Sequence, residues 1–157
     1  MPNHCQNELY LYGEYEKVQT VLDYLKGPEG AIDFNSITKE EGSTEDESYD
    51  WYAWRHNNWG TKWNAYEVET VKDKRTTFDS INWPDSREVR IDFLTAWGPP
   101  EPIIRAVLDK FKDFGVSINF EYFEQGMGFC GGLGIYGEED EEPIEWSSNE
   151  YRGFKGG

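Results

Sequence analysis

The sequence predicts an α+β domain, with one antiparallel or mixed sheet, two helices on one face and an elaborated middle segment. Two strand-like segments of alternating apolar residues are each followed by a helical pattern and then by a further strand-like segment. The length of 157 residues suits a single domain. The aromatic content of 17% provides large side chains for a core, which a disordered chain lacks.

The first half opens with a strand and a helix. Residues 7–13 alternate, with Leu9 and Leu11 on one face, which is the period of a half-buried strand. Residues 14–26 carry apolar side chains at spacings of three and four, which predicts an amphipathic helix. The pair Gly27-Pro28 is expected to end this helix.

The middle segment is more irregular. Residues 31–37 are predicted to form a short strand, and residues 38–50 an acidic loop. A short helix is expected from Trp51 to about Gly60, followed by a strand at 64–72. A turn-rich stretch then contains a possible hairpin arm at 78–83.

The second half repeats the strand–helix–strand order more clearly. Residues 88–97 alternate as a strand, and Pro102 lies where the first turn of a helix tolerates proline. The helical spacing continues to Phe111, and strands follow at 116–122 and 129–136. Two such units in one sheet correspond to the ferredoxin-like plan.

Acidic residues are concentrated in two tracts of a chain whose net charge is −16. This charge argues against nucleic acid or an anionic membrane as a direct ligand, because both need a basic surface. It favours a host protein with a basic, nucleic-acid-binding surface, and solvated loops are the plainer interpretation. Residues 1–137 are predicted to be the domain, and 138–157 an acidic, loosely held tail. The first tract is Glu40, Glu41, Glu45, Asp46, Glu47 and Asp50, and the second is Glu138, Glu139, Asp140, Glu141, Glu142 and Glu145.

A Trp-rich segment follows the first tract. If its rings pack over the sheet, they belong to the core, which is the favoured interpretation. If they are exposed, they form a binding patch, since Trp is enriched at interaction hot spots. The four rings are Trp51, Trp54, Trp59 and Trp63.

No catalytic residue, cofactor or metal site is predicted. Residues 126–131 satisfy Gly-x-Gly-x-x-Gly, but a strand is expected after them, where a dinucleotide site needs a helix. His4 and His56 lie outside metal-ligand spacings, and Cys5 and Cys130 are expected to be reduced, packed thiols. The alternative is a small-ligand-binding or enzymatic module that uses the Trp-rich segment and the Gly-rich hairpin.

The expected location is the cytoplasm. The chain has no run of 18 apolar residues, and its first residues lack the basic and apolar regions of a signal peptide.

Four segments resemble the YubB-like ferredoxin-like proteins. Residues 1–13 resemble their Met-Pro-Asn-x-Cys-x-Asn start, although His4 replaces the expected Trp, and 59–65 resemble their Trp-Gly-Thr-Lys-Trp segment. Residues 93–111 are similar to their Thr-x-Trp-x-Pro-Pro junction, and 120–132 to their Tyr-x-Glu-x-Gly-x-x-Phe-x-Gly ending. The resemblance implies a ferredoxin-like fold and carriage on plasmids or phages, with no agreed activity. We therefore expect a non-enzymatic mobile-element protein that inhibits a host nucleic-acid-handling or defence protein through its acidic surface.

Overall fold

The computed structural model describes residues 3–77, 85–126, 128–136 and 144–148. Within these ranges the chain forms six strands and four helices. The strands are β1 (His4–Glu14), β2 (Tyr66–Thr76), β3 (Ser86–Ala96), β4 (Ser117–Glu124), β5 (Phe129–Tyr136) and β6 (Ile144–Ser148). The helices are α1 (Tyr15–Leu25), α2 (Phe34–Ile37), α3 (Trp51–Asn58) and α4 (Glu101–Phe111).

The six strands form one antiparallel sheet in the order β2-β3-β1-β4-β5-β6. β1 lies at the centre, where Leu9 pairs with Ile91 of β3 and Phe120 of β4. The strands that flank α1 and α4 thus interleave, which is the ferredoxin-like arrangement, and β5 and β6 extend the sheet beyond β4. The predicted α+β, ferredoxin-like fold is confirmed.

The core lies on one face of the sheet, between the strands and the two long helices. Leu9 of β1 and Ile91 of β3 are both buried there. Val18 of α1 and Val107 of α4 belong to the same apolar cluster, so both helices cover the same face as predicted. Among the residues that the structure describes, no helix is long and apolar enough to cross a membrane.

The predicted strand at residues 31–37 is wrong. The structure has the short helix α2 there, because the Asp33 side chain caps it by accepting a hydrogen bond from the Asn35 backbone N–H at 3.0 Å. A distant residue adds a second anchor, since the Phe34 N–H donates to Asn64 Oδ1 at 2.8 Å. Ile32 and Phe34 are both buried, so the alternation marked core positions of a turn and a helix instead of a strand.

Two predictions concern residues near the gaps in the description. The possible hairpin arm at 78–83 lies outside the described residues. In the segment predicted as a loosely held tail, 138–157, residues 144–148 form β6, which pairs with β5 from Ile144 opposite Gly134 to Ser148 opposite Cys130. That part of the segment is a strand of the sheet, because β5 offers it an edge to pair with, and the rest of the segment lies outside the described residues.

Candidate protein-interaction site

The first acidic tract lies on the loop of residues 38–50 between α2 and α3, which we call the acidic loop. Five of its six predicted partner-binding carboxylates are on exposed residues, and Glu40 is the exception. The loop therefore presents a net negative charge to the solvent, with Lys39 as its one exposed cation. The exposed residues are Glu41, Glu45, Asp46, Glu47 and Asp50.

Glu40 fastens the loop to α3. Its carboxylate accepts two hydrogen bonds from Arg55, Nε to Oε2 and Nη2 to Oε1, each at 3.0 Å. The Tyr49 hydroxyl donates to Oε2 of the same carboxylate at 2.7 Å. Only 13% of the Glu40 side chain and 19% of the Arg55 side chain are exposed. Glu40 thus fastens the acidic loop from a largely buried position, and its predicted contact with a partner stays a prediction.

Two tryptophan rings hold the Arg55 guanidinium in place. Its central carbon lies 5.0 Å from the centre of the Trp51 ring and 5.2 Å from that of the Trp59 ring, within cation–π range. Arg55 Nη1 also donates to the Lys62 carbonyl oxygen at 3.2 Å. The Trp59 indole N–H donates to the carbonyl oxygen of Thr38, where the acidic loop begins, at 2.9 Å. We call the group Glu40, Tyr49, Trp51, Arg55 and Trp59 the Arg55 clamp.

The clamp alters the titration of its carboxyl group. Partial burial alone would raise the pKa of Glu40, but the hydrogen bonds from Arg55 and Tyr49 and the charge of Arg55 outweigh it. The pKa of Glu40 is therefore lowered from its usual value. The carboxylate stays ionised in the clamp at neutral pH.

Local turns order the rest of the loop. Asp46 accepts hydrogen bonds from the Ser48 N–H at 2.9 Å and the Ser48 hydroxyl at 2.7 Å, and both lower the pKa of Asp46. Asp50 caps α3 by accepting from the Ala53 N–H at 3.0 Å. Gly42 lies so close to the Tyr49 ring that a Cβ there would come within 2.3 Å of it. The exposed carboxylates are therefore carried by a folded loop.

The four tryptophans separate into different environments. Trp59 is a core residue with 3% exposure, and Trp54 packs against the core. Trp51 is half-buried at the clamp. Trp63 is 40% exposed, with Lys62 Nζ 4.4 Å from its ring centre. The favoured core interpretation thus describes Trp59 and Trp54, whereas Trp63 is left at the surface.

The second acidic tract is not placed by the structure. Glu138, Glu139, Asp140, Glu141 and Glu142 lie outside the described residues. Glu145 belongs to β6, whose backbone position is described.

The face of the sheet opposite the core carries a second charged cluster, which sequence analysis missed. The Arg90 guanidinium contacts Glu8 at 3.0 Å and Asp92 at 2.9 Å, and the Tyr10 hydroxyl donates to Glu8 at 2.6 Å. Burial, followed by this hydrogen bond, raises the pKa of Tyr10 far above its usual value. Glu8, Arg90 and Asp92 also line an open cavity of about 540 Å³, together with Glu67. The sequence signal that could have revealed this cluster is the set of charged residues at the polar positions of the two alternating segments.

The histidines and cysteines do not converge on a reactive centre. Cys5 is buried, and burial raises the pKa of its thiol to about 12, so the thiol stays protonated. Cys130 is buried as well, and neither cysteine forms a disulfide. His4 Nδ1 lies 2.7 Å from the Tyr66 hydroxyl, and the His56 ring packs against the Tyr52 ring with their centres 4.3 Å apart. Among the described residues, no group of three or more His, Cys, Asp or Glu side chains is arranged to hold a metal ion.

The glycine-rich segment 126–131 leads from β4 into β5: Gly126 and Gly128 lie in a turn, and β5 begins at Phe129. β4 and β5 pair on either side of it, from Glu124 opposite Phe129 onward, so a strand follows where a dinucleotide site needs a helix. Gly128 adopts a φ of +75°, and its N–H donates to the Glu124 carbonyl oxygen at 2.9 Å. Gly126 and Gly128 therefore serve the turn, whereas Gly131 lies in β5.

Comparison with known families supports this fold. A family model described as the ferredoxin-like domain in Api92-like protein matches residues 58–153, which is more than half of the chain. The chain belongs to this family. No curated protein and no solved structure matches it significantly. The match supports a ferredoxin-like family and does not extend to the plasmid and phage proteins that the sequence resembles.

Proposed function

We propose that this chain is a non-enzymatic protein of a mobile element, such as a phage or plasmid, that binds and inhibits a host nucleic-acid-handling or defence protein. The contact is the acidic loop, and the partner surface is basic. The observation that carries the proposal is the Arg55 clamp, which holds a loop with five exposed acidic residues in a defined conformation.

An ordered loop suits this function for an entropic reason. Binding through a disordered acidic segment costs the free energy of ordering it, whereas a loop that is already folded avoids much of this cost. Carboxylates fixed on a compact surface attract a basic groove by the same electrostatic force as phosphates do. The net charge of −16 increases this attraction at long range.

The open face of the sheet supports a protein partner over a nucleic acid. Ferredoxin-like domains that bind RNA through their sheet need exposed aromatic rings in a positive field. Here the cavity on that face is lined by Glu8, Glu67 and Asp92 against the single cation Arg90. A phosphate backbone would be repelled from this cavity.

The mobile-element context is supported by the four segments that resemble YubB-like proteins. The alternative, a ligand-binding or enzymatic module, has less support. Trp51 and Trp59 of the Trp-rich segment are used to hold Arg55, and the Gly-rich hairpin joins two strands of the sheet.

Affinity capture tests the proposal. The tagged chain is immobilised, exposed to host lysate at low salt, and eluted first with short duplex DNA and then with high salt. We expect a basic nucleic-acid-binding protein that the DNA displaces, because DNA and the acidic loop compete for one groove. Recovery of no such protein, or of one that DNA leaves bound, would contradict the proposal.

Two variants with equal charge changes identify the contact. The variant Glu41→Gln/Glu45→Gln/Glu47→Gln neutralises the acidic loop and is expected to lose the partner. The matched control neutralises three exposed acids on α1 and α4 and is expected to keep it. Equal retention by both variants would rule out the acidic loop as the contact. The control changes are Glu16→Gln, Glu101→Gln and Asp109→Asn.

A further inference from the structure

β2 is a long edge strand that is mostly exposed to the solvent. It spans Tyr66–Thr76, and β3 is its one neighbour in the described sheet. Eight of its eleven residues are exposed, including Val71 at 43%. The outer side of an edge strand presents backbone N–H and C=O groups that can pair with another strand.

Charge is divided between the two halves of β2. The first half carries Glu67 and Glu69. The second half carries Lys72, Lys74 and Arg75 together with one acid, Asp73, which forms an ion pair with Arg87 of β3. When two such strands pair antiparallel, the acidic half of each lies against the basic half of the other. Opposite charges that face each other across neighbouring strands stabilise the pairing.

A β-bulge places the relevant side chains on one face. Glu69 pairs with Asp92, Lys72 with Arg90 and Lys74 with Glu88, and these β3 partners are two residues apart, so they share a face. Residues three apart in a regular strand, such as Glu69 and Lys72, would point to opposite faces. The register shift between Thr70 and Lys72 removes this mismatch. Cross-strand contact between Glu69 of one copy and Lys72 of another requires this shared face.

We propose that two copies of this chain associate through their β2 strands, antiparallel, about a two-fold axis near Val71. Each Glu69 then faces Lys72 of the other copy, and the exposed Val71 side chains are covered at the centre. The two sheets continue into one another, and the acidic loops remain outside the contact. The association is weakest at low salt, where the net charge of −16 on each copy repels over a long distance, and it tightens as salt screens that repulsion.

Sedimentation equilibrium of the full chain at moderate salt tests this association. The wild type is expected to dimerise reversibly. Glu67→Lys/Glu69→Lys makes the acidic half of β2 basic, and Lys72→Glu/Lys74→Glu replaces the two lysines of the basic half with acids. Each double variant alone is expected to dimerise at least about tenfold more weakly, because like charges then face each other.

The decisive measurement mixes the two double variants. Their edges are complementary, so the mixture is expected to form a heterodimer at concentrations where each variant alone is monomeric. Circular dichroism confirms that both variants are folded. The matched control Glu16→Lys/Asp109→Lys makes the same charge change as Glu67→Lys/Glu69→Lys, but on α1 and α4. It is expected to form no such heterodimer with Lys72→Glu/Lys74→Glu.

Three results would overturn the proposal: a wild type that is monomeric at every concentration, double variants that dimerise as the wild type does, or a mixture without heterodimer. In each case the charges of β2 serve to keep the edge unpaired, as charged edge strands do in other proteins. These outcomes are independent of partner capture by the acidic loop, which uses other residues.

Discussion

Two arginines, Arg55 and Arg90, each contact at least one carboxylate and at least one aromatic ring but serve different purposes. Arg55 joins segments that are 15 residues apart and is 19% exposed, with Trp51 and Trp59 beside it. Arg90 is 38% exposed and neutralises Glu8 and Asp92 on a sheet that β-pairing already holds. The comparison indicates that Arg55 determines a conformation, whereas Arg90 adjusts the charge of a surface.

This difference matters in a chain with 31 acidic and 15 basic residues. Because acids outnumber bases, each arginine or lysine that pairs with a carboxylate neutralises that carboxylate, and other carboxylates of the chain stay unneutralised. The Arg55 clamp uses one carboxylate, Glu40, and leaves five exposed acidic residues on the acidic loop. The following predictions test the distinction, beginning with the largest expected effect.

Replacing Trp59 should have the greatest effect, because its ring belongs to both the core and the clamp. Trp59→Ala removes a buried ring and the hydrogen bond to Thr38, and we expect the free energy of unfolding to fall by about 3–5 kcal/mol. Denaturant unfolding measures this loss. The control Trp63→Ala changes an exposed ring and should cost about 0.5 kcal/mol. Similar losses in both variants would contradict the core position of Trp59.

Breaking the clamp at its cation should have the next largest effect. Arg55→Met leaves the largely buried Glu40 carboxylate without its guanidinium, and we expect a loss of about 2 kcal/mol in the free energy of unfolding. Adding Glu40→Leu should recover part of the loss, since the stranded charge is removed. A double variant that is less stable by the sum of both single losses would show that the two residues do not interact.

Arg90→Met should have a smaller effect, of about 1 kcal/mol, because Arg90 is partly exposed and the sheet holds its neighbours. The same unfolding measurement compares it with Arg55→Met. A loss as large as that of Arg55→Met would remove the distinction between the two clusters.

The pH dependence of the clamp should be the smallest effect. The pKa of Glu40 is lowered in the folded state, so its contribution is complete above the unfolded pKa of about 4.3 and is lost as the pH falls through the lower folded value. The stability difference between wild type and Glu40→Gln should therefore be constant near neutral pH and shrink in acid. A stability difference that grows on acidification would mean that the pKa of Glu40 is raised in the folded state, not lowered.

The regular elements could be predicted from the sequence because each depends on local periodicity. β1, β3, α4 and β5 lie within a few residues of their predicted positions, since alternation or helical spacing marks them. The segment 31–37 was misassigned because Asn64, far along the chain, helps to fix the backbone at Phe34.

The candidate site was predictable only as two separate parts. The acidic tract and the Trp-rich segment were both recognised, but their connection through Arg55 and Glu40 depends on how the acidic loop returns to α3. No sequence spacing encodes that return. The Arg90 cluster likewise requires the register of β1 and β3, which brings Glu8 opposite Asp92.

Hydrogen exchange in the acidic loop tests most directly whether the Arg55 clamp orders it. The amides of Glu40, Asp46 and Tyr49 donate to Asn35 Oδ1, the Ser43 carbonyl and the Asp46 carbonyl, so they should exchange slowly in the wild type. In Arg55→Met they should exchange at least about tenfold faster, while the amides of β1 and β3 remain protected. Exchange of these loop amides at the rate of an unfolded chain in the wild type, or no change in the variant, would contradict the account.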